Sequence, residues 1–158
     1  MNPRDSPIEE SLWWVLPGKL GGMRKPTPTE IPGLKSLGIN ALVSVMDDPS
    51  NLDLYAQNHL PHLWLPTTGG QAPTPAQIQE LYEFVNTQNE LSHQVIVHCS
   101  SGRRRTGTFL AAYLIQTGLG AEEAIQIIQQ ANPEVELRST QITFLQELAA
   151  GVTPPKSP

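Results

Sequence analysis

A ten-residue loop, HCSSGRRRTG at 98–107, joins two apolar runs and constrains the fold more than any other stretch of the chain. QVIVH at 94–98 predicts a short buried strand, and TGTFLAAYLIQT at 106–117 predicts an apolar helix that ends at Gly118. A loop between a strand end and a helix N-terminus directs backbone N–H groups inward, where the helix dipole adds partial positive charge. The sequence therefore predicts a phosphate-binding loop.

The side chains of this loop supply chemistry as well as charge. Cys99 sits where the positive field stabilises a thiolate, the form of cysteine that acts as a nucleophile. The planar fork of Arg105 can hold two phosphoryl oxygens at once, which a lysine cannot do. We expect Thr106 to donate a hydrogen bond to the sulfur when it leaves, and His98 to point away and orient the loop.

The predicted phosphate contacts involve the whole middle of the loop, namely Ser100, Ser101, Gly102, Arg103, Arg104 and Arg105. The arginine triplet stands against a net charge of −5 for the chain. A basic rim would favour substrates with several phosphates or acidic flanks. A solvent-exposed Arg104 with no ligand is an equally good interpretation.

Strand and helix patterns alternate along the rest of the chain and predict an α/β fold. Its central, mostly parallel sheet has about four to five strands flanked by helices, with the phosphate loop between the last core strand and a central helix. We expect one domain over residues 1–151, frayed at 1–10, and a disordered Pro-rich tail at 152–158. The predicted strands are 12–16, 19–21, 41–46, 60–65 and 94–98, and the predicted helices are 29–37, 52–58, 75–90, 106–117, 121–131 and 139–150.

Composition narrows the class of protein. The single cysteine excludes an internal disulfide and a cysteine-rich metal site, and it suits a reducing compartment. No apolar run approaches the ~20 residues that span a bilayer, and the polar N-terminus has no secretory signal. We therefore expect a cytoplasmic monomer without nucleic-acid partner, metal or other cofactor.

The loop resembles the HCxxGxxR signature, followed by Ser or Thr, of the cysteine-dependent protein tyrosine phosphatases. Four further stretches make the chain similar to the small atypical dual-specificity phosphatases: WWVLPGKLGGMRKP at 13–26, LGINALVSVMDD at 37–48, APTPAQIQELYEFV at 72–85 and NPEVELRSTQITFLQEL at 132–148. This resemblance implies the family's α/β fold, no metal, and hydrolysis of a phosphorylated protein or small phospho-substrate through a phosphocysteine. It also places Gln141 where a glutamine helps to position water.

Two departures from the family pattern concern the chemistry. The family's aspartate general acid lies about 30 residues before the cysteine, where this chain has Gly69 in a TTGGQ loop without any carboxylate. Loss of a general acid typically costs about 10²–10⁴ in rate. Arg104 also replaces the glycine that usually precedes the arginine. Candidate substitutes for the acid are Asp47, Asp48, Asp53, Glu134 and Glu136, of which Asp47 and Asp48 end a strand that opens toward the loop.

The sequence leaves two main functions open. The first is an active phosphatase, favoured because the residues of the covalent step are all present. The second is a phosphate-binding module that keeps the pocket with little catalysis. A rhodanese-type sulfur transferase also uses a cysteine loop, but such loops lack the His-Cys…Gly…Arg-Thr arrangement.

Overall fold

The computed structural model describes residues 7–151, in which five strands form a single sheet. The sheet order is β1-β2-β5-β3-β4, and only the β1–β2 pair is antiparallel. This arrangement confirms the predicted, mostly parallel sheet. The strands are β1 Trp13–Leu16, β2 Leu20–Arg24, β3 Ala41–Ser44, β4 His62–Trp64 and β5 Val95–Cys99.

Helices cover both faces of the sheet. One face packs on α2 to α5, and the other packs on α1 and three 3-10 turns. The helices are α1 Leu52–Gln57, α2 Pro75–Glu90, α3 Arg104–Gln116, α4 Ala121–Ala131 and α5 Ser139–Gly151, and the turns are Ile8–Ser11, Ile31–Gly33 and Lys35–Leu37. β4 directly follows Pro61 and lies at one end of the sheet, where a proline next to the strand is tolerated.

The helix α3 is central, as predicted, although it begins two residues earlier than its apolar run. Its residues from Thr106 to Ile115 are all buried, and it contacts α2, α4, α5 and β5. A helix that is apolar all round needs neighbours on every side. The start of α3 is thereby held rigidly against the end of β5.

The helix α2 begins at Pro75, as predicted, with Thr74 as its N-cap. The Thr74 hydroxyl accepts from the Gln77 backbone N–H at 3.1 Å, and the Gln77 side chain accepts from the Thr74 N–H at 3.0 Å. This capping box satisfies two donors at the helix N-terminus. It also anchors the C-terminal end of the loop that precedes α2.

The strand β2 continues to Arg24, so the prediction that it ends at residue 21 was wrong. Gly21 and Gly22 lie inside the strand rather than at its end. A Cβ on Gly21 would lie 2.9 Å from the Trp14 ring, and a Cβ on Gly22 would lie 2.7 Å from Thr106 Cγ2. These glycines therefore make room for side chains from β1 and α3.

Two other expectations near the N-terminus were also wrong. The predicted helix over 29–37 is split into two 3-10 turns, because Pro32 removes a backbone donor and disfavours helical geometry in the residue before it. Residues 7–10 are not frayed, since Ile8 is buried in the core. The remainder of the predicted frayed end, 1–6, and the predicted tail, 152–158, lie outside the described residues.

Over residues 7–151, we find no helix with the length and apolar character required to cross a membrane.

Candidate active site

Successive side chains of β5 point to opposite faces of the sheet, and this separates His98 from Cys99, the two residues that begin the loop. Val95, Val97 and Cys99 face the core beneath α3, whereas Ile96 packs in the cluster on the opposite face. His98, next along the strand, contacts Tyr55 of α1 on that opposite face. The strand therefore delivers the thiol to the α3 side and points His98 away from it, as predicted.

A buried hydrogen-bond chain holds His98. Tyr55 Oη lies 2.7 Å from His98 Nε2, and the Asn51 amide donates to Tyr55 Oη at 3.3 Å and to the Pro26 carbonyl at 2.9 Å. Burial lowers the pKa of His98 to about 4, so the ring is neutral near pH 7. These hydrogen bonds link α1 to the base of the loop. Because burial keeps the His98 ring neutral, it has no additional proton to give as an acid.

The sulfur of Cys99 lies at the floor of the loop with 2% of the residue exposed. The Gly102 backbone N–H donates to Sγ at 3.3 Å, and the Thr106 hydroxyl donates to it at 3.1 Å. Both donors stabilise negative charge on sulfur. Thr106 is therefore in hydrogen-bond contact with the sulfur, and its role when the sulfur leaves stays a prediction.

The first turn of α3 faces the same loop with unsatisfied donors. The helix begins at Arg104, and its first N–H with a partner one turn back is that of Gly107, which donates to the Arg103 carbonyl. The N–H groups of Arg104, Arg105 and Thr106 therefore lack intrahelical acceptors, as in any helix start. Together with the helix dipole they form a site for an anion.

Contacts from β1 and β2 fix the shape of the loop. The Trp13 indole N–H donates to the Gly102 carbonyl at 3.0 Å, and the Lys25 N–H donates to the Ser100 carbonyl at 3.2 Å. Gly102 has a φ of +78°, and a Cβ there would press on the Met23 carbonyl and lie 2.6 Å from Arg24 N. Only glycine fits at this position.

We expect Gly102→Ala to lower the free energy of unfolding by about 2–4 kcal/mol, since left-handed strain and overpacking add. Urea denaturation measures this loss. Gly69→Ala is the matched control, because a Cβ at Gly69 meets nothing within 4 Å, and its expected change is under about 0.5 kcal/mol. Equal stability of Gly102→Ala and wild type would contradict the close fit.

The guanidinium of Arg105 bridges the loop and the segment after β4. It donates to the Thr67 carbonyl at 2.9 Å and to the Ser100 hydroxyl at 3.0 Å. Asp47 lies 4.0 Å from the same group. These contacts hold the arginine in the cleft before any phosphate binds.

A cleft of about 290 Å³ opens above Cys99. A larger groove of about 680 Å³ runs between α2 and α5, but neither Cys99 nor the loop arginines line it. The smaller cleft is therefore the better candidate for the active site. We call it the Cys99 cleft. It is lined by Gly69, Gly70, Cys99, Ser101, Arg103, Arg104, Arg105, Glu134 and Glu136.

The rim of the Cys99 cleft is less cationic than the arginine triplet suggests. Arg103 forms an exposed ion pair with Glu134 at 3.2 Å, and Arg104 Nε donates to the Glu136 carbonyl at 3.0 Å. Both arginines therefore bind the 132–138 segment between α4 and α5. Arg104, which replaces the family's glycine, lies against that segment rather than over the sulfur.

Three other predicted residues, Asp48, Asp53 and Gln141, do not line the cleft. Asp48 accepts hydrogen bonds from Ser50, which lower the pKa of its carboxyl group, and Asp53 lies exposed in the first turn of α1. Gln141 is fully buried. Its amide oxygen accepts from the Arg138 N–H at 2.9 Å, and its amide nitrogen lies 3.4 Å from the Gln71 carbonyl. Gln141 thus ties α5 to the glycine loop, and its role toward water stays a prediction.

Sequence reasoning missed the supporting residues Trp13, Tyr55 and Asn51. Each makes a hydrogen bond to a residue at least 25 positions away in the chain, and no local pattern reveals such a pairing. Glu134 and Glu136 were candidates without preference. The available signal was that both glutamates flank an apolar residue, Val135, which the structure buries.

Comparison with known proteins shows the family of this chain. The model of the DSP-PTPase phosphatase domain family described as "Swiss Army Knife protein" matches residues 9–154. The chain belongs to this family, which makes it a member of the cysteine-dependent protein tyrosine and dual-specificity phosphatase superfamily.

The chain shares 24% to 35% sequence identity with three individual proteins. The chain is 29% identical over 140 residues to the phosphatidylglycerophosphate phosphatase PTPMT1 of Arabidopsis thaliana, which covers 84% of this chain and 41% of the relative. It is 35% identical over 82 residues to the mouse phosphatidylglycerophosphatase and protein-tyrosine phosphatase 1, covering 51% and 42% of the two chains. The crystal structure of Tk-PTP in its active form has a TM-score of 0.82 at 24% identity, over 96% of this chain and 100% of the other. The matches thus span about two fifths of these two curated relatives, while the fold is shared nearly throughout with Tk-PTP.

Proposed function

We propose that this protein hydrolyses phosphate monoesters through a covalent phosphate on Cys99. The observation that carries the proposal is the pair of hydrogen bonds donated to Sγ, by Gly102 N–H and Thr106 Oγ, at the floor of a cleft that also contains Arg105. A nucleophile, donors for its negative charge and a phosphate-holding fork lie together. This combination supports catalysis as well as binding.

In the first step, the phosphate dianion sits over the start of α3 and is held by the Arg105 fork. The Cys99 thiolate attacks phosphorus opposite the ester oxygen, so that the S–P bond forms as the P–O bond breaks. Arg105 and the backbone N–H groups stabilise the charge on the equatorial oxygens in the transition state. The leaving oxygen departs with the electron pair and takes up a proton.

In the second step, a water oxygen attacks the phosphocysteine and the S–P bond breaks. Sulfur leaves as a thiolate, whose charge is stabilised by the Thr106 hydroxyl and the Gly102 N–H. Inorganic phosphate is released.

For the substrate, the names of the relatives suggest two kinds of ester. They are the alkyl phosphate of phosphatidylglycerophosphate and the aryl phosphate of phosphotyrosine. We propose that the Cys99 cleft accepts a single phosphate group of either kind, because Arg103 and Arg104 are engaged by the 132–138 segment. A second phosphate would have to compete with Glu134 for Arg103 and with the Glu136 carbonyl for Arg104.

Turnover of p-nitrophenyl phosphate, measured beside binding of inorganic phosphate by calorimetry, tests the proposal. We expect hydrolysis, with inorganic phosphate as a competitive inhibitor whose inhibition constant equals its dissociation constant. Phosphate binding without any turnover would instead indicate a phosphate-binding module. Turnover that inorganic phosphate does not inhibit would place the reaction outside this cleft.

A further inference from the structure

The Cys99 cleft has a wall without a proton donor. The 67–71 segment, TTGGQ, contributes Gly69 and Gly70 to the cleft and contains no carboxylate. Cleavage of an aryl phosphate does not require a proton donor at this wall, because the aryl oxygen leaves readily as an anion. An alkyl oxygen needs a proton, and a positioned acid typically contributes about 10²–10⁴ to that rate.

The 132–138 segment places two carboxylates in the same cleft. Val135 is buried, and a Cβ on Gly107 would lie 3.0 Å from Val135 Cγ1 and 3.7 Å from Leu137 Cδ2. Val135 and Leu137 thus face the start of α3. Their neighbours Glu134 and Glu136 are exposed and line the Cys99 cleft.

The same segment runs beside the glycine wall. A Cβ on Gly70 would lie 3.4 Å from Arg138 Cδ, and Gln141, one turn further on, reaches the Gln71 carbonyl. The segment therefore borders the part of the cleft where the family's aspartate is missing. A carboxylate from this segment can occupy the space that the two glycines leave open.

The two glutamates differ in what they already bind. The carboxylate of Glu134 is ion-paired with Arg103, so its negative charge is matched by a guanidinium. The carboxylate of Glu136 has no ion pair or hydrogen bond within residues 7–151, while its backbone carbonyl is held by Arg104 Nε. Glu136 therefore has a fixed backbone and a free carboxyl group.

We propose that Glu136 is the general acid of this enzyme, an inference that rests on the proposed function. Its carboxylic acid gives a proton to the ester oxygen while the P–O bond breaks and the Cys99 S–P bond forms. The resulting carboxylate then accepts a proton from the water whose oxygen attacks phosphorus. That second step breaks the S–P bond and regenerates both the thiolate and the acid.

Leaving-group dependence tests this assignment. With Glu136→Gln we expect kcat/KM for glycerol 3-phosphate, an alkyl ester, to fall about 10²-fold, while kcat/KM for p-nitrophenyl phosphate changes little, because kcat/KM reports only the steps through cleavage of the P–O bond. An equal loss on both esters would indicate a structural role and overturn the proposal.

Glu134→Gln and Glu123→Gln are the matched variants, the first for the competing carboxylate and the second for an exposed glutamate on α4. We expect Glu123→Gln to behave as wild type. A leaving-group-dependent loss in Glu134→Gln, and not in Glu136→Gln, would overturn the assignment. Thermal unfolding of each variant separates loss of chemistry from loss of fold.

Adding the missing acid gives an independent test. Gly69 has open space for a side chain, so Gly69→Asp is sterically tolerated. If Glu136 already serves, this change gives little gain on glycerol 3-phosphate. A large gain, or a wild type that hydrolyses only the aryl ester, would show that no acid serves and overturn the inference alone. A wild type inactive on both esters would overturn the proposed function with it.

Discussion

Replacement of Cys99 with serine is expected to lower kcat for p-nitrophenyl phosphate by at least about 10⁴-fold, on the scale seen when an enzyme nucleophile is removed. A serine hydroxyl stays protonated where a thiol is readily ionised, and its alkoxide is a poor leaving group in the second step. The two donors to Sγ are suited to a thiolate and do not compensate for this difference. Initial rates of nitrophenolate release measure the loss.

The same variant should keep the phosphate site. The amides at the start of α3 and the Arg105 fork do not depend on the sulfur, so calorimetric binding of inorganic phosphate is the control for Cys99→Ser. Retained binding with lost turnover assigns the effect to the nucleophile. Turnover close to that of wild type would place the nucleophile at another residue.

Replacement of Arg105 with lysine is expected to lower kcat/KM for the same ester by about 10²–10³-fold, the typical cost of losing a transition-state donor. Lysine keeps the charge but loses the planar fork, and it cannot reach both the Thr67 carbonyl and the Ser100 hydroxyl in one fixed orientation. Phosphate affinity should weaken as well. Steady-state kinetics and calorimetry measure the two losses.

Arg138→Lys is the matched control for Arg105→Lys. Arg138 is exposed and lies outside the residues that line the Cys99 cleft. We expect its kinetics to follow those of wild type. If both variants lost activity to the same extent, a general loss of stability would explain the effect, and the bidentate role of Arg105 would be contradicted.

The part of the fold next to the site could be predicted because its signals are local. Apolar β5, the glycine and arginine loop and apolar α3 follow one another directly, and the Thr74 cap identifies the start of α2. The end of β2 could not be predicted, because Gly21 and Gly22 are typical of a turn in sequence but here leave space for side chains from β1 and α3. No sequence pattern shows which distant atoms a missing Cβ makes room for.

The candidate site divides in the same way. Cys99, Arg105 and Thr106 come from one loop, and their spacing alone predicts that they meet. The contacts from Trp13 and Tyr55 join distant elements and become visible only once the sheet is assembled. The choice between Glu134 and Glu136 also depended on tertiary contacts, since both alternate with Val135 and only the partner arginines distinguish them.

The central claim is that phosphate passes through Cys99, and trapping the intermediate tests it most directly. The enzyme would be mixed with excess p-nitrophenyl phosphate, quenched in denaturant during the first turnovers, digested, and analysed by mass spectrometry. We predict a phosphorylated Cys99 peptide from wild type and none from Cys99→Ser. Hydrolysis without phosphate on Cys99, or with phosphate on another residue, would contradict the account.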